Sequence, residues 1–256
     1  MISVIIPTYT EPEVLDLCLR SIVNGQRNSN EIIVVVDGYY EENEETLLKY
    51  KDHIIILKLD DNVGLATATN YGVYCATNEY VLIANDDNVF CDEWDNRLKD
   101  DLKVVDSGAI LSINQIEPYE SIFKQFVIKD LGKTVKDFNL DEFNKFEFET
   151  SYDLIDKNGS TLPIVMRKKD YMRIGGWDVD YPSATVVDWD FFYKCQLNDI
   201  PLYRTYNVHF YHFVSIGTNK DPEVRKNEEI NGHNYSKFKW GNYFKMDRNT
   251  NLKTLM

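Results

Sequence analysis

The sequence predicts an α/β fold organised on one mostly parallel, Rossmann-like sheet. Three observations predict it. Through the first 110 residues, short β-branched runs alternate with segments of helical apolar spacing, a pattern that sets parallel strands side by side with helices on both faces. The early strands read as continuous apolar runs, the form of strands buried on both faces. The 256 residues amount to roughly 1.7 domains at about 150 residues each, and no internal repeat or low-complexity linker divides them, so a single unit is expected.

The elements follow in order. Ile2 to Ile6 is the first strand, stopped by Pro7. Thr8, Tyr9 and Thr10 form a turn, with Thr10 placed to cap a helix in which Val14, Leu15, Cys18, Leu19 and Ile22 recur at helical spacing and which Gly25 closes. Glu31 to Val36 is a strand ending in Asp37-Gly38, followed by an acidic helical segment to about Tyr50. His53 opens a third strand over Ile54 to Leu59, Gly64 to Ala76 is a helix of small residues, and Tyr80 to Ala84 is a strand that ends abruptly in Asn85-Asp86-Asp87-Asn88. A helix over Asp92 to Val105 and a strand over Ala109 to Ile113 come next. From 115 to about 157 the pattern fades, and Phe123, Phe126, Val127 and Leu131 point to one amphipathic helix. Order returns with a strand at Leu162 to Met166, a short helix at Lys169 to Ile174, the Gly175-Gly176-Trp177-Asp178 turn, a helix at Asp188 to Leu197 and a strand at Leu202 to Val208. The remainder reads as a polar tail carrying Lys237, Lys239 and Lys245.

Composition narrows the function classes. Apolar residues make up 43% of the chain, enough for a sizeable core. The formal charge of -14 opposes a phosphate backbone, so nucleic acid is not expected as a partner, whereas clustered acids suit a divalent cation. Four scattered cysteines with no C-x-x-C fit a reducing compartment. The N-terminal apolar run is too short for a signal peptide, and no stretch reaches the length of a membrane span, so a cytoplasmic protein is expected.

Ligands of open parallel sheets bind beyond the carboxyl ends of the strands. Thr8-Tyr9, Asp37 and Asn85-Asp86-Asp87 fall there. Asp37-Gly38 is equally an ordinary turn dipeptide. Adjacent carboxylates such as Asp86 and Asp87 repel each other, a cost that a bound dication removes; a solvated acidic turn is the plainer alternative. Asp188 and Asp190 stand two apart at a helix start, where one can face inward as a general base while the other caps. Trp177 and Trp189 are surfaces on which sugars stack, or core residues. His209 and His212 alternate with aromatics as core histidines do, but a metal at Asp86-Asp87 favours one of them as a ligand.

Taken together these segments resemble the family 2 inverting glycosyltransferases of the GT-A fold. Val4-Ile5-Ile6-Pro7-Thr8-Tyr9-Thr10-Glu11 is similar to that family's first strand and nucleotide-binding turn, and Ile32 to Gly38 to its second strand. Asn62-Val63-Gly64-Leu65-Ala66-Thr67-Ala68-Thr69-Asn70-Tyr71-Gly72 matches N-x-G-x-x-x-A-x-N-x-G. Asn85-Asp86-Asp87 stands at the D-x-D position, and Gly175 to Asp178 with Asp188-Trp189-Asp190 looks like the G-G-[FW]-D and E-D-x-D segments. His212 and Lys239-Trp240-Gly241 have counterparts as well. Two departures stand out: Thr69 occupies a position commonly Arg, removing a diphosphate contact, and Val187 replaces the first acid of the Glu-Asp pair, leaving Asp188 as the match to the base.

The resemblance implies a metal-dependent, inverting transfer of a sugar from a nucleotide-diphosphate sugar (UDP-, GDP- or dTDP-linked) to a hydroxyl of a glycan, lipid-linked or protein-linked acceptor. It implies Mn²⁺ or Mg²⁺ held by Asp87 and His212, and a donor site of Pro7, Thr8, Tyr9, Glu11, Asp37, Gly64, Asn70, Asp86 and Trp177. Asp188 is the implied base. Residues 1–110 would form the nucleotide-sugar half, 111–215 the acceptor and base half, and 216–256 a tail. Three alternatives stand beside this reading. A nucleotide-sugar pyrophosphorylase would need a Gly-rich basic loop after the first strand, which Pro7 to Glu11 lacks. A non-catalytic carbohydrate-binding protein would leave the carboxylates unexplained, and a transferase acting on modified nucleic acid runs against the charge.

Overall fold

In the computed structural model, all residues are described except 122, 158, 183, 215–221, 242–243, 246–252 and 255–256; of Pro222, 244–245 and 253–254 the backbone alone is described. The basic tail residue Lys245 falls in that last group, its side chain outside the described residues.

The first half of the chain follows the alternation read from the sequence. Strand β1 (Ile2–Thr8) leads to α1 (Pro12–Gly25), β2 (Glu31–Asp37) to α2 (Tyr40–Lys49), and β3 (Ile55–Leu59) to α3 (Leu65–Cys75), which returns to β4 (Tyr80–Ile83). Helix α1 starts one residue later than the Thr10 cap implies: Glu11 is its N-cap, with no side-chain cap bond, because Pro12 supplies a preset φ and has no N–H to satisfy. His53 lies in the turn before β3. A two-residue strand, β5 (Asn88–Val89), and α4 (Trp94–Val104), the helix expected over Asp92 to Val105, follow.

The second half departs further from expectation. Strand β6 (Ile110–Glu117) continues past Ile113 to Glu117, all eight residues buried. No helix runs over 123–131; Val127–Ile128 instead form a short strand, β7, beside the end of β6. The helix of this region is α5 (Leu140–Thr150), where the Asn139 side chain accepts the N–H groups of Asp141 at 3.0 Å and Glu142 at 3.1 Å. A capped helix start with an acidic first turn outweighs a weak apolar period. Then come β8 (Ile155–Asp156), β9 (Ile164–Arg167), α6 (Lys168–Arg173), α7 (Val187–Leu197) and β10 (Leu202–His212). The segment expected as a polar tail contains the 19-residue helix α8 (Pro222–Trp240). Two two-residue strands, β11 (Phe244–Lys245) and β12 (Lys253–Thr254), pair with each other.

The main sheet has ten strands, with the order β3-β2-β1-β4-β9-β6-β10-β5 and with β7 and β8 beside β6 and β10. The first four are parallel; β9 enters antiparallel between β4 and β6. Apolar clusters cover both faces, one built with α1 and α4 and the other with α3 and α7. Helix α3 lies close on β1 and β2 at Gly72, where a Cβ would meet Ile5 Cγ2 at 2.5 Å and Val35 Cγ2 at 2.9 Å. That packing fixes the start of α3, and so the loop at 62–64, against the end of β2.

Candidate active site at the carboxyl ends of the strands

Strands β1, β2 and β4 all end at one edge, so Thr8, Asp37 and Asp86 emerge together there. Each Asp37 oxygen accepts a backbone N–H from the next loop, Oδ1 from Val63 at 2.7 Å and Oδ2 from Gly64 at 3.0 Å. Burial raises the Asp37 pKa, against those two bonds. Tyr9 is held at its backbone by Asn43, whose amide donates to the Tyr9 carbonyl at 2.6 Å, and its ring meets Tyr39 edge-on at 4.9 Å. Pro7 is buried under this rim, and Glu11 is half-buried at the entrance to α1.

The carboxylate pair sits in the turn between β4 and β5. Thr8 Oγ1 donates to Asp86 Oδ2 at 2.8 Å. Burial, then the charge of Asp87, push the Asp86 pKa up to about 7. Asn88 shapes the turn by accepting the Asn85 N–H at 3.0 Å. Asp87 Oδ2 lies 3.4 Å from His212 Nε2, while Asp87 Oδ1 is buried with no hydrogen-bond partner. On its other side His212 Nδ1 is 3.0 Å from Glu117 Oε1. Burial opposes charging the ring, but the Asp87 charge and the bonds to Asp87 and Glu117 raise the His212 pKa to about 10.

A buried carboxylate oxygen with no donor, next to an imidazole, fits a dication better than it fits an apolar core. Among the described residues no three His, Cys, Asp or Glu side chains form a ready metal cage. Two protein ligands nevertheless leave coordination positions that oxygen atoms of a bound molecule could complete.

Asp188 lies in the first turn of α7, and burial raises its pKa from 3.8 to about 6 despite backbone N–H bonds from Trp189 and itself. The residue before the helix, Val186, has φ +73, left-handed geometry that a β-branched side chain rarely adopts. Asp190 plays neither role expected of the pair's second acid. Fully buried, it accepts Lys239 Nζ at 2.9 Å and the Trp240 indole N–H at 2.6 Å; Lys239 also donates to Asp178 Oδ2 at 2.6 Å. This clamp ties α8 to the G-G-W-D turn and to α7.

Asn70 and Trp177 meet each other. The Asn70 amide donates to the Trp177 carbonyl at 2.9 Å and accepts both the Trp177 N–H at 2.9 Å and the Tyr171 hydroxyl at 2.6 Å. Gly176 is required beside it: φ is +60, and a Cβ would meet Asn70 Oδ1 at 2.5 Å. Trp177 is 2% exposed, its ring inside the core rather than open for a sugar to stack on, because the turn folds back onto α3; Trp189 is half-buried. His209 is fully buried, away from the carboxylate pair's contacts, with its backbone N–H on Glu147. Glu117 and Tyr39 are not marked by the sequence, which hints at Glu117 only through the polar alternation Gln115-Ile116-Glu117; Lys239 and Trp240 are marked as a tail segment with family counterparts, but not as partners of Asp178 and Asp190.

The family described as Glycosyl transferase family 2 matches residues 3–173, two thirds of the chain. The chain belongs to glycosyl transferase family 2. Among solved structures it is similar to S. aureus TarS, with 18% identity and a TM-score of 0.59 over 94% of this chain and 44% of that one. Against residues 1–349 of S. aureus TarS the identity is 16% and the TM-score 0.59, over 96% of this chain and 75% of that one. The family 2 chain thus spans less than half the length of the longer TarS chain, and the likeness establishes the GT-A fold. No match is found among curated proteins. The helix carrying Asp188 and the clamp from α8 lie beyond the matched family region.

Proposed function

We propose that this family 2 protein transfers a glycosyl group from a nucleotide-diphosphate sugar to an acceptor hydroxyl with inversion at the anomeric carbon, and that the transfer depends on Mn²⁺ or Mg²⁺. The observation that carries the metal part is the buried, unpartnered Oδ1 of Asp87 beside His212. Asp87 and His212 would hold the ion, which when bound supplies Lewis-acid neutralisation of the leaving diphosphate. Residues 1–110 form the nucleotide-sugar half, where Asp37, Gly64 and the Tyr9–Tyr39 pair line the place of the nucleoside. Pro7, Thr8, Glu11 and Asp86 form the rim toward the diphosphate and sugar. Asn70 and Trp177 shape the wall between the halves. Residues 111–215 supply the acceptor side and Asp188, which accepts the proton of the attacking hydroxyl during a single displacement. The chemistry is thus different from the double displacement of retaining hydrolases, which also pair two carboxylates.

Asp87→Ala is expected to abolish the Mn²⁺-dependent part of donor binding in calorimetry over a panel of UDP-, GDP- and dTDP-sugars. Equal donor affinity of variant and parent, with and without Mn²⁺, would remove Asp87 from the metal site.

A further inference from the structure

We infer that Glu117 is a positioning residue for the metal site: it fixes the orientation and tautomer of His212, so that Nε2 is the nitrogen that would bind a metal beside Asp87. This rests on the proposed metal at Asp87 and His212. The geometry comes from an irregularity in β10. Its ladder with β6 shifts between Thr205, opposite Ile113, and His209, opposite Asn114, so that residues 206–208 bulge out. There the Tyr206 backbone pairs instead with Tyr152 and Leu154, at 2.9 and 3.0 Å. After the bulge Tyr211 lies opposite Ile116, which carries His212 to the level of Glu117 at the end of β6, while its other neighbour is Asn88 of β5. Bulges of this kind re-aim side chains beside active sites.

The result is a line of three side chains, Glu117, His212 and Asp87, with separations of 3.0 and 3.4 Å. A metal-bound imidazole uses one nitrogen as ligand and must carry its proton on the other; a carboxylate accepting that N–H sets which is which and holds the ring in plane. Glu117 is 6% exposed, and its Oε1 is on Nδ1, the nitrogen remote from Asp87. The Asp87 oxygen that lacks a partner shows that the line ends in an unfilled acceptor position.

The test is the affinity for Mn²⁺ alone, read from the free-ion electron paramagnetic resonance signal, in the parent protein and in Glu117→Ala and Glu117→Gln. The expected result is a 10–100-fold weaker affinity in E117A, the usual effect of removing a partner of a metal-bound histidine. E117Q should stay within about threefold of the parent, because its amide carbonyl still accepts the Nδ1 proton. Nitrogen-15 spectra of the Mg²⁺-saturated parent, with His212→Ala to assign one of four histidines, should show His212 protonated at Nδ1, and E117A should lose that preference. Parent-like affinity and tautomer in a folded E117A would overturn the inference while leaving the metal reading intact. Equal weakening in E117A and E117Q would overturn it too, by assigning the effect to lost charge. A parent protein that binds no Mn²⁺ would remove both.

Discussion

Asp188 and Asp190, two residues apart, end in different surroundings because two residues turn roughly 200° about a helix axis. Asp190 is inside, saturated by Lys239 and Trp240, whereas Asp188 is half-buried with backbone N–H groups as its partners. A base must be ionised, and burial sets the Asp188 pKa near 6, so kcat/KM should fall about tenfold per pH unit below 6, rather than staying level to about pH 4 as for an ordinary carboxylate. The same shift acts oppositely on stability: the fold prefers the neutral acid, so this residue's contribution favours the native state increasingly as pH falls from above 6 toward 4. Asp188→Asn should lower kcat by about 10²–10⁴-fold with donor affinity nearly unchanged; a stopped transfer assay and donor calorimetry read both, and an unaltered kcat would dismiss the residue as base.

At the scale of elements, α8 is held to the body by a narrow set of side chains, with Gly232 and Ser236 buried and most of its other residues exposed. Gly232 lies against the Thr185 carbonyl, beside the strained Val186 that starts α7. The Lys239 ammonium bridges Asp178 and Asp190, and against the effect of burial its hydrogen bond holds the Asp178 pKa below the ordinary value. Removing the ammonium leaves the buried Asp190 side chain with the Trp240 indole and the more distant Lys194 ammonium, at 3.9 Å, as partners. Lys239→Met should therefore destabilise the fold by about 3 kcal/mol, at the low end for a broken buried pair because the lysine is itself partly exposed. In thermal unfolding followed by circular dichroism this is a fall of roughly 6–12 °C for a chain of this size. A change within about 1 °C would show that the clamp adds nothing to the docking of α8.

For the molecule as a whole, one continuous sheet joins the strand ends that carry Thr8, Asp37 and Asp86 to β6 and β10, which carry Glu117 and His212. No helix among the described residues is long and apolar enough to cross a membrane. The proposed metal, with two protein ligands, gains further oxygen ligands from a diphosphate, so metal and nucleotide should stabilise the fold together. Mn²⁺ with the matching nucleoside diphosphate, at about a hundredfold excess over Kd, should contribute about 2.7 kcal/mol and raise Tm by roughly 5–10 °C, more than the two added separately. Purely additive shifts would separate the metal from the nucleotide site.

The sequence by itself determined the alternating first half, the carboxylates at its strand ends and the turn that resembles G-G-W-D, because apolar period and turn chemistry are local properties that survive without the rest of the chain. It also marked the pairs Asp188/Asp190 and His209/His212, and the resemblance to family segments chose Asp188 and His212 from them. Tertiary structure alone decided the remainder. Val127–Ile128 is a strand because the end of β6 offers an edge there, which no periodicity encodes. The strand expected to stop at Val208 resumes after a bulge along which residues 152–156 pair, and that resumption sets His212 between Asp87 and Glu117. Lys239 meets Asp178 and Asp190 across 61 and 49 residues of chain, a pairing of charges that distance in sequence hides and packing brings within 3 Å.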